Sequence, residues 1–388
     1  MNGIAQRRLG EYRKDSDGKR RFHLRNAPFR PRLEFSDEFI RDLESASLAV
    51  GRLDGSARVL PNPDHFIYMY LRLEAIISSQ IEGTQASLMD LLQYEQERTD
   101  GHRGDDLAQV SNHLLLLKQL DARRRARPIS VAELQATHAR LLAGTRGNRF
   151  AGRLRHLQNW IGPEDGPVET AIFVPPPPNE VRRGMKNLVG FIQGERSLPP
   201  LVKAALAHAY FETLHPFIDG NGRLGRYLIH FVLWQTGTVE HPILYISHYL
   251  KAHQKEYYDL LQATRDDDDL ESWCHFFLVA TRSVAGDALA HARRVHGICD
   301  GLERQVQQAL GKRAAAGLRA LRELYIHPIS DVNGLARATG LSIGRANDLA
   351  TSMADHGLLH ELTGYRRNRR FSLARYLKEF TMLEIREK

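Results

Sequence analysis

Residues 198–236 read LPPLVKAALAHAYFETLHPFIDGNGRLGRYLIHFVLWQT, two apolar stretches on either side of a short polar turn. The spacing of the apolar residues predicts one helix over 198–214 and a second over 224–236. Between them, Gly220 and Gly222 permit positive φ and leave room for a ligand to approach the backbone. Because the second helix points its first N–H groups back into the turn, the turn can bind an anion. The stretch therefore predicts a helical protein with an anion site between two helices.

The same turn carries side chains that suit phosphate chemistry. Arg223 and Arg226 lie three residues apart and share one helical face, so both can hold phosphate oxygens. Asp219 is a hard carboxylate of the type that holds Mg²⁺ beside phosphates, and His215 can act as a general base near neutral pH. Taken singly, each is also typical of a helix cap, a common turn or a solvated face. Their conjunction predicts phosphoryl or nucleotidyl transfer, which depends on positioning and electrostatic stabilisation.

The string HPFIDGNGRLGR at 215–226 resembles the Fic motif, H-x-F-x-[D/E]-G-N-G-R-x-x-R, at every fixed position. The resemblance implies a helical Fic domain that transfers AMP from ATP to a protein hydroxyl, with self-modification expected as well. It implies that His215 deprotonates the Ser, Thr or Tyr hydroxyl and that Asp219 holds Mg²⁺. The nucleotide contacts that it implies are Glu82, Asp219, Gly220, Asn221, Gly222, Arg223, Leu224, Gly225, Arg226 and Tyr257.

Two positions bear on which group is transferred and how the base is bound. The kinase-like Doc branch of the family carries Lys where this chain has Gly222, so the glycine favours AMP transfer over γ-phosphoryl transfer. Tyr257 and Tyr258 match a Tyr pair in relatives, of which one contacts the nucleotide base. Stacking or hydrogen bonding of Tyr257 to adenine is chemically reasonable, although two aromatic residues on a helix are also typical of a core.

Residues 78–83, SSQIEG, resemble the inhibitory helix of the same family, [S/T]-x-x-x-E-[G/N]. Ser78 and Glu82 share a helical face at i,i+4. The resemblance implies inhibitory roles for Ser78, Glu82 and Gly83, with Glu82 pairing with Arg226 and blocking the γ-phosphate. One guanidinium cannot pair fully with both a carboxylate and a phosphate. In some relatives this Glu also positions water for removing AMP, so a reverse activity stays open.

A Gly-rich segment ends in four consecutive prolines, Pro175–Pro178, which exclude a helix interior or a central strand there. The β-type composition of Thr170, Ala171, Ile172 and Phe173 predicts a β-hairpin closed by the prolines. The segment sits where the family has its target-docking flap, and an exposed edge there can align an extended target by strand addition. A purely structural hairpin is the alternative.

The last part of the chain, from about residue 312, has a different pattern. A helical segment within 332–342 that ends in a Gly and a second helix at 343–356 precede a predicted hairpin over 358–371, which is typical of a winged helix-turn-helix. A DNA-binding function would place one set of residues at base edges and the wing arginines on phosphates. The residues at the base edges would be Ser342, Arg345 and Asn347. The wing arginines on the phosphates would be Arg366, Arg367, Arg369 and Arg370. A dimerisation or docking module is the alternative, and a homodimer stays open.

The 388 residues carry a net charge of +8, and the charge is unevenly distributed. Residues 1–33 are net +7, residues 34–300 net −5 and residues 301–388 net +6. We predict a mainly α fold, a Fic-type helical core with a β-hairpin flap plus a C-terminal winged-helix domain. The regions expected are a basic arm (1–33), an N-terminal helical region with the inhibitory helix (34–110), the Fic catalytic domain (111–300) and the winged helix-turn-helix (312–388).

Composition also bears on location. No apolar stretch approaches the roughly 18 residues of a membrane helix, and the basic N-terminus lacks a following apolar segment of a secretory signal. Two cysteines, Cys274 and Cys299, cannot make a disulfide scaffold. We therefore expect a cytoplasmic protein without a membrane partner, and the family resemblance implies that it is an enzyme that uses ATP and Mg²⁺. The alternatives are a DNA-binding regulator with a Fic core, or a Fic enzyme that transfers UMP or a phosphate.

Overall fold

The chain folds into a helical body with two small antiparallel sheets. The structure is a computed structural model that describes residues 7–59, 63–96, 104–121, 128–162, 166–365 and 368–385. Its helices are α1 (Asp37–Val59), α2 (Pro63–Ile81), α3 (Leu88–Gln96), α4 (Asp105–Asp121), α5 (Val131–Leu141), α6 (Pro178–Gly194), α7 (Pro200–Leu214), α8 (Asn221–Gln235), α9 (Ile246–Ala252), α10 (Gln254–Asp266), α11 (Leu270–Leu310), α12 (Ala314–Ile326), α13 (Val332–Thr339), α14 (Ile343–Asp355) and α15 (Ala374–Ile385). Its strands are β1 (Gly10–Lys14), β2 (Arg20–Leu24), β3 (Ile329–Asp331), β4 (His360–Glu361) and β5 (Arg370–Ser372).

The helices α7 and α8, on either side of the turn quoted above, form the centre of the core. Residues 201–214 of α7 and 221–234 of α8 are all buried. The two predicted helices are confirmed, but α8 begins at Asn221 rather than at Leu224. Gly220 takes φ 76° and so allows the chain to turn directly into the helix. Because both helices are packed on every side, the turn between them has a rigid frame.

The helix α2 crosses this central pair. It packs against α4, α8, α9 and α12, and it ends at Ile81 close to the first turn of α8. On the outside, α1 lies along α11, the longest helix of the described chain. Two expected domain boundaries fall inside helices, since α4 runs through residue 110 and α11 runs through residue 300.

The described N-terminal residues do not form the irregular basic arm predicted above. Strands β1 and β2 pair in register from Gly10 opposite Leu24 to Lys14 opposite Arg20. The hairpin forms because apolar residues alternate along β2, where Phe22 and Leu24 are buried in the core. An Asp-Gly pair at the turn, with Gly18 at φ 77°, was the local signal for it.

The positive charge of this segment is largely paired with acidic groups. Arg8 forms ion pairs with Asp268 and Glu271 across the interface with the helical body, at 2.9 and 2.6 Å. Arg21 pairs with Asp15 at 2.6 Å within the hairpin. Part of the net charge of +7 in residues 1–33 therefore lies in ion pairs that hold the hairpin in place, and that part is not free to bind a polyanion.

The C-terminal part packs directly against the helix that leads to Glu82. In chain order it has α12, β3, α13, α14, β4, β5 and α15, and the sheet order is β3-β5-β4. Helix α12 contacts α2, and α15 contacts α2 and α3. The backbone N–H of Leu88 donates to the carboxylate of Glu384 at 3.2 Å. Arg366 and Arg367 lie outside the described residues. In the part of the chain that is described, every helix is too short or too polar to cross a membrane.

Candidate active site

The backbone of the turn is fixed by hydrogen bonds within the turn itself. Asn221 makes a reciprocal pair with Phe217, since its Nδ2 donates to the Phe217 carbonyl and its Oδ1 accepts from the Phe217 N–H, both at 2.9 Å. At the other end, His215 adopts the left-handed conformation at φ 45°. The turn thus has a shape fixed by its own hydrogen bonds, and the first N–H groups of α8, which lack partners within the helix, point toward it.

A second histidine, His138 of α5, packs against the turn and hydrogen-bonds to its backbone. Its Nδ1 accepts from the Gly152 N–H at 2.9 Å, so its Nε2 carries the proton and donates to the Asp219 carbonyl at 2.8 Å. Its ring also stacks on Phe217 with a centroid distance of 3.8 Å. Burial lowers the pKa of His138 to about 4. His138 is therefore a neutral structural support, a role that the sequence analysis did not identify.

His215 lies at the edge of the turn with 17% of its side chain exposed. Burial, together with repulsion from Arg155 and Arg265, lowers its pKa to about 3. The imidazole is therefore neutral at physiological pH, which is the state that a general base needs. The sequence predicted the residue, and the structure gives the reason why it is unprotonated.

Arg155 holds the backbone beside His215. It is buried, its Nε donates to the His215 carbonyl at 2.8 Å, and its Nη2 donates to the Leu214 and Pro176 carbonyls. Burial lowers its pKa to about 10. No motif marks this residue, which ties the end of α7 to the proline segment.

Asp219 presents its carboxylate at the surface of the turn, with 44% of the side chain exposed. One oxygen lies 3.5 Å from Nη2 of Arg223. Arg223 in turn is held by Gln109 of α4, whose Oε1 accepts from Nη1 at 2.5 Å. A partly exposed carboxylate beside a phosphate-binding helix end fits Mg²⁺, which takes one or two protein carboxylates and completes its shell with phosphate oxygens and water.

Arg226 hydrogen-bonds through Nε and Nη2 to the segment predicted to be inhibitory. Its Nε donates to Ser78 Oγ at 2.8 Å, and its Nη2 donates to the Ser78 carbonyl at 2.7 Å and to Glu82 Oε1 at 2.6 Å. The guanidinium is 1% exposed, whereas the Glu82 side chain remains 34% exposed. Glu82 itself lies in the turn after α2, one residue beyond the helix end.

Glu82 also fills the space in front of the first turn of α8. A Cβ placed on Gly222 would lie 2.1 Å from Glu82 Oε1, so the carboxylate rests against the glycine backbone. Burial would raise the pKa of Glu82, but the attraction of Arg226 and Arg223 outweighs it and holds the pKa below its ordinary value. An anion thus occupies the helix N-terminus, and here that anion is the protein's own carboxylate.

The structure does not support Tyr257 as a nucleotide contact. Its side chain is 1% exposed, and its hydroxyl lies 2.9 Å from His208 Nε2, inside the core. Its neighbour Tyr258 is 45% exposed and lies against the Tyr257 ring at 4.9 Å. Helical geometry turns adjacent residues to different faces, so of the pair it is Tyr258 that a base can reach.

The flap segment is less regular than predicted. Residues Val168–Thr170 form a 3₁₀ turn, and the pairing is reduced to one antiparallel bridge between Ile161 and Phe173. Phe173 is buried, with Arg265 stacked over its ring at 3.9 Å, so its side chain cannot meet a target. Ile172 points the other way and is 69% exposed, while Thr170 and Ala171 are exposed and half-buried.

Comparison with known proteins agrees with this site. Residues 128–233 match the model of the Fic/DOC family, and residues 40–118 match that of the Fic/DOC family N-terminal region. The chain therefore carries a Fic/DOC family domain. It contains the family domain together with the N-terminal region that carries Ser78 and Glu82.

The matches to named relatives cover only part of each relative's length. A probable protein adenylyltransferase of Aquifex aeolicus is 39% identical over 67 residues, 17% of this chain and 21% of that protein. The protein adenylyltransferase Fic of Culex quinquefasciatus is 31% identical over 142 residues, 36% of this chain and 25% of that protein. That of Drosophila yakuba is 27% identical over 270 residues, 62% of this chain and 50% of that protein. The chain thus spans half or less of these relatives.

Solved structures share the fold. A Fic family protein from Desulfovibrio desulfuricans superposes with a TM-score of 0.58 at 19% identity and covers 89% of this chain and 98% of that one. A Fic domain containing signaling protein from Bacteroides thetaiotaomicron gives a TM-score of 0.50 at 20% identity and covers 65% and 95%. The predicted Fic-type helical core is confirmed by these likenesses.

Proposed function

We propose that this protein is a Mg²⁺-dependent adenylyltransferase that moves AMP from ATP to a hydroxyl side chain of a protein, itself included. The observation that carries the proposal is the single turn in which a neutral His215 lies beside the N-terminus of α8. The names of the relatives support the same activity. The turn supplies a base, an anion site and a carboxylate for the cation in one rigid frame.

The proposed step is an attack of the target hydroxyl on the α-phosphorus of ATP. A new O–P bond forms, the bond from the α-phosphorus to the bridging oxygen breaks, and pyrophosphate leaves. The hydroxyl proton passes to His215 Nε2, which is neutral and free to accept it. Charge that develops on the α-phosphate is met by the N–H groups of α8, which need no reorganisation because the turn is held by Asn221 and His138.

The residues fit both ATP and its cation. Asp219 would hold Mg²⁺, which screens the phosphate charge and favours the departure of pyrophosphate. The cradle at Gly222 is large enough for an anion, as the Glu82 carboxylate shows by filling it. Arg223 is held next to Asp219 by Gln109 and can meet the same phosphates.

We further propose that Glu82 keeps the enzyme in an inhibited state. The γ-phosphate and the Glu82 carboxylate would compete for Arg226, and they cannot both make its two-pronged contact. Ser78 strengthens the inhibited arrangement, because it takes two of the remaining hydrogen bonds of Arg226 through its hydroxyl and its carbonyl.

The proposal is tested by the position of the label in ATP. We expect the Glu82→Gly variant incubated with Mg²⁺ and ATP labelled at the α-phosphate to become labelled, and ATP labelled at the γ-phosphate to leave it unlabelled. Label from the γ position would indicate a kinase, and the same assay with labelled UTP separates UMP transfer. Absence of α label in this variant, on itself and on a lysate, would contradict the proposed function.

A second candidate function concerns nucleic acid. The order helix, strand, helix, helix, strand, strand with a three-stranded sheet supports a winged helix-turn-helix, and Ser342 and Arg345 are exposed at the start of α14. Two residues proposed for DNA contact are engaged internally instead. Arg369 donates to Glu361 at 2.6 Å and to Asn347 Oδ1 at 3.1 Å.

This second proposal predicts salt-dependent DNA binding that relies on Arg345. We expect Arg345→Ala to weaken binding about 3- to 10-fold and to reduce the slope of log K against log salt by about 1, as expected for a lost phosphate contact. Fluorescence anisotropy with a duplex at several salt concentrations measures it. Arg319→Ala, which lies on α12, is the matched control, and no binding at low salt would remove the DNA proposal.

A further inference from the structure

A buried carboxylic acid, Glu212, lies one helical turn before His215. Its side chain is 8% exposed, and its Oε2 lies 4.0 Å from Nδ1 of His215. Its other oxygen, Oε1, has no hydrogen-bond partner among the described residues. A buried acid without a full set of partners is costly to keep, so its place beside the base calls for an explanation.

The chain makes room for this group on the opposite helix. A Cβ on Gly225 of α8 would lie 2.1 Å from Glu212 Oε1, so any other residue at 225 would displace the carboxyl. The resemblance to the family motif assigns no fixed residue at position 225. In this chain the glycine leaves the space that the Glu212 carboxyl occupies between α7 and α8.

We propose that Glu212 is a positioning residue for His215. Its carboxylate, 4.0 Å from Nδ1, electrostatically favours the imidazole tautomer that carries its proton on Nδ1 and leaves Nε2 free. The proposal deepens the proposed function, on which it rests. When Nε2 takes the hydroxyl proton, the ring becomes positively charged, and a carboxylate 4.0 Å from Nδ1 stabilises that charge. The stabilisation exists mainly in the transition state, because the resting ring is neutral, and it therefore acts on kcat.

The ionisation of Glu212 makes this effect dependent on pH. Burial raises its pKa to about 7, a rise that Arg226 and Arg265 partly offset and Glu82 reinforces. The titratable and charged groups that face it are Arg226, His215, Glu82, Arg265, Tyr257 and Tyr258. A group with a raised acid pKa becomes charged only as the pH rises through that value, so the transfer rate should rise with pH across the neutral range. The titration of His215 cannot cause this rise in rate, since the pKa of His215 lies far lower.

The test compares Glu212→Gln with its parent, both carrying Glu82→Gly so that the site is open. We expect kcat for AMP transfer at pH 8 to fall at least about 10-fold while KM for ATP changes less than about 2-fold. The rise in rate with pH should also disappear; in this background we expect it at lower pH than in the unmutated chain, because Glu82 no longer raises the pKa of Glu212. Glu256→Gln, an exposed carboxyl on α10, is the matched control and should keep the parent's rate and pH profile.

Two further measurements test whether Glu212 acts through its charge on His215. In the parent, the ring nitrogen shifts of His215 measured by NMR should follow the ionisation of Glu212 near neutral pH, and in Glu212→Gln they should not. The NMR measurement does not require an active enzyme. It therefore separates a failure of this proposal from a failure of the proposed function, because in the latter case the parent would incorporate no α label. Gly225→Ala, which displaces the carboxyl without removing it, should flatten the pH profile in the same way. A Glu212→Gln variant with unchanged kcat, pH profile and His215 shifts would overturn the proposal.

Discussion

Replacing Glu82 with glycine should raise the rate of AMP incorporation about 10- to 100-fold, the equivalent of one charge-assisted hydrogen bond of roughly 1.5–3 kcal/mol. The substitution releases Arg226 Nη2 from its 2.6 Å contact and empties the space against Gly222. Both the clamp for the terminal phosphate and the cradle in front of α8 then become available. The measurement is the initial rate of incorporation of α-labelled ATP into the protein, together with the Kd of ATP by calorimetry.

Two variants separate the carboxylate from the backbone effect of a glycine. Gln85→Gly places a new glycine in the same exposed segment, where the side chain does not contact Arg226, and it should leave the rate at the parental level. Glu82→Gln keeps the shape of the side chain but removes its charge, so it should give an intermediate rate. An increase in Gln85→Gly equal to that in Glu82→Gly would attribute the effect to loosening of the segment rather than to competition for Arg226.

The part of the site that the sequence predicted is the part encoded locally. The residues from His215 to Arg226 lie within one turn and its following helix, so their types and spacing define the geometry almost alone. Glu82 was predicted for a different reason, because residues 78–83 resemble the inhibitory helix of the family. Its contact with Arg226 spans 144 positions along the chain and was implied by the resemblance, not by periodicity.

The residues that were missed act through long-range contacts that carry no local signal. Gln109 bonds Arg223 across 114 positions, and Arg155 bonds the His215 carbonyl across 60. A polar residue in an amphipathic helix or a loop looks solvated until the fold places a partner beside it. The N-terminal hairpin was missed for a second reason, since its many charges outweighed the alternation of buried residues that forms β2.

Burial also explains why overall charge says little about this site. The middle of the chain is net negative, yet the base lies close to Arg155 and Arg265, and the phosphate side of the turn holds Arg223 and Arg226. These guanidinium groups are desolvated, so their fields are screened less than those of surface charges. Burial, together with Arg155 and Arg265, keeps His215 unprotonated, whereas Arg223 and Arg226 lie where they can attract phosphates. The proposed binding of ATP therefore depends on these buried side chains and not on the net charge of the whole molecule.

Removing the imidazole of His215 should have the largest effect of any single substitution. In the Glu82→Gly background, His215→Ala should lower kcat for AMP transfer by about 10²–10⁴-fold, the usual contribution of a general base. The Kd of ATP should stay within about 2-fold, because the phosphate contacts belong to α8 and Arg226 rather than to the imidazole. Single-turnover incorporation of α-labelled ATP measures the loss, and calorimetry measures the binding.

The conformation of His215 calls for a second variant beside alanine. At φ 45° the residue is left-handed, which alanine tolerates poorly and asparagine accepts more readily. His215→Asn should therefore lose activity as fully as His215→Ala while unfolding at a temperature closer to that of the parent. His253→Ala, an exposed histidine between α9 and α10, is the matched control and should retain full activity. If His215→Asn transferred AMP at the parental rate, another group would have to accept the hydroxyl proton, and the charge stabilisation assigned to Glu212 would lose its object.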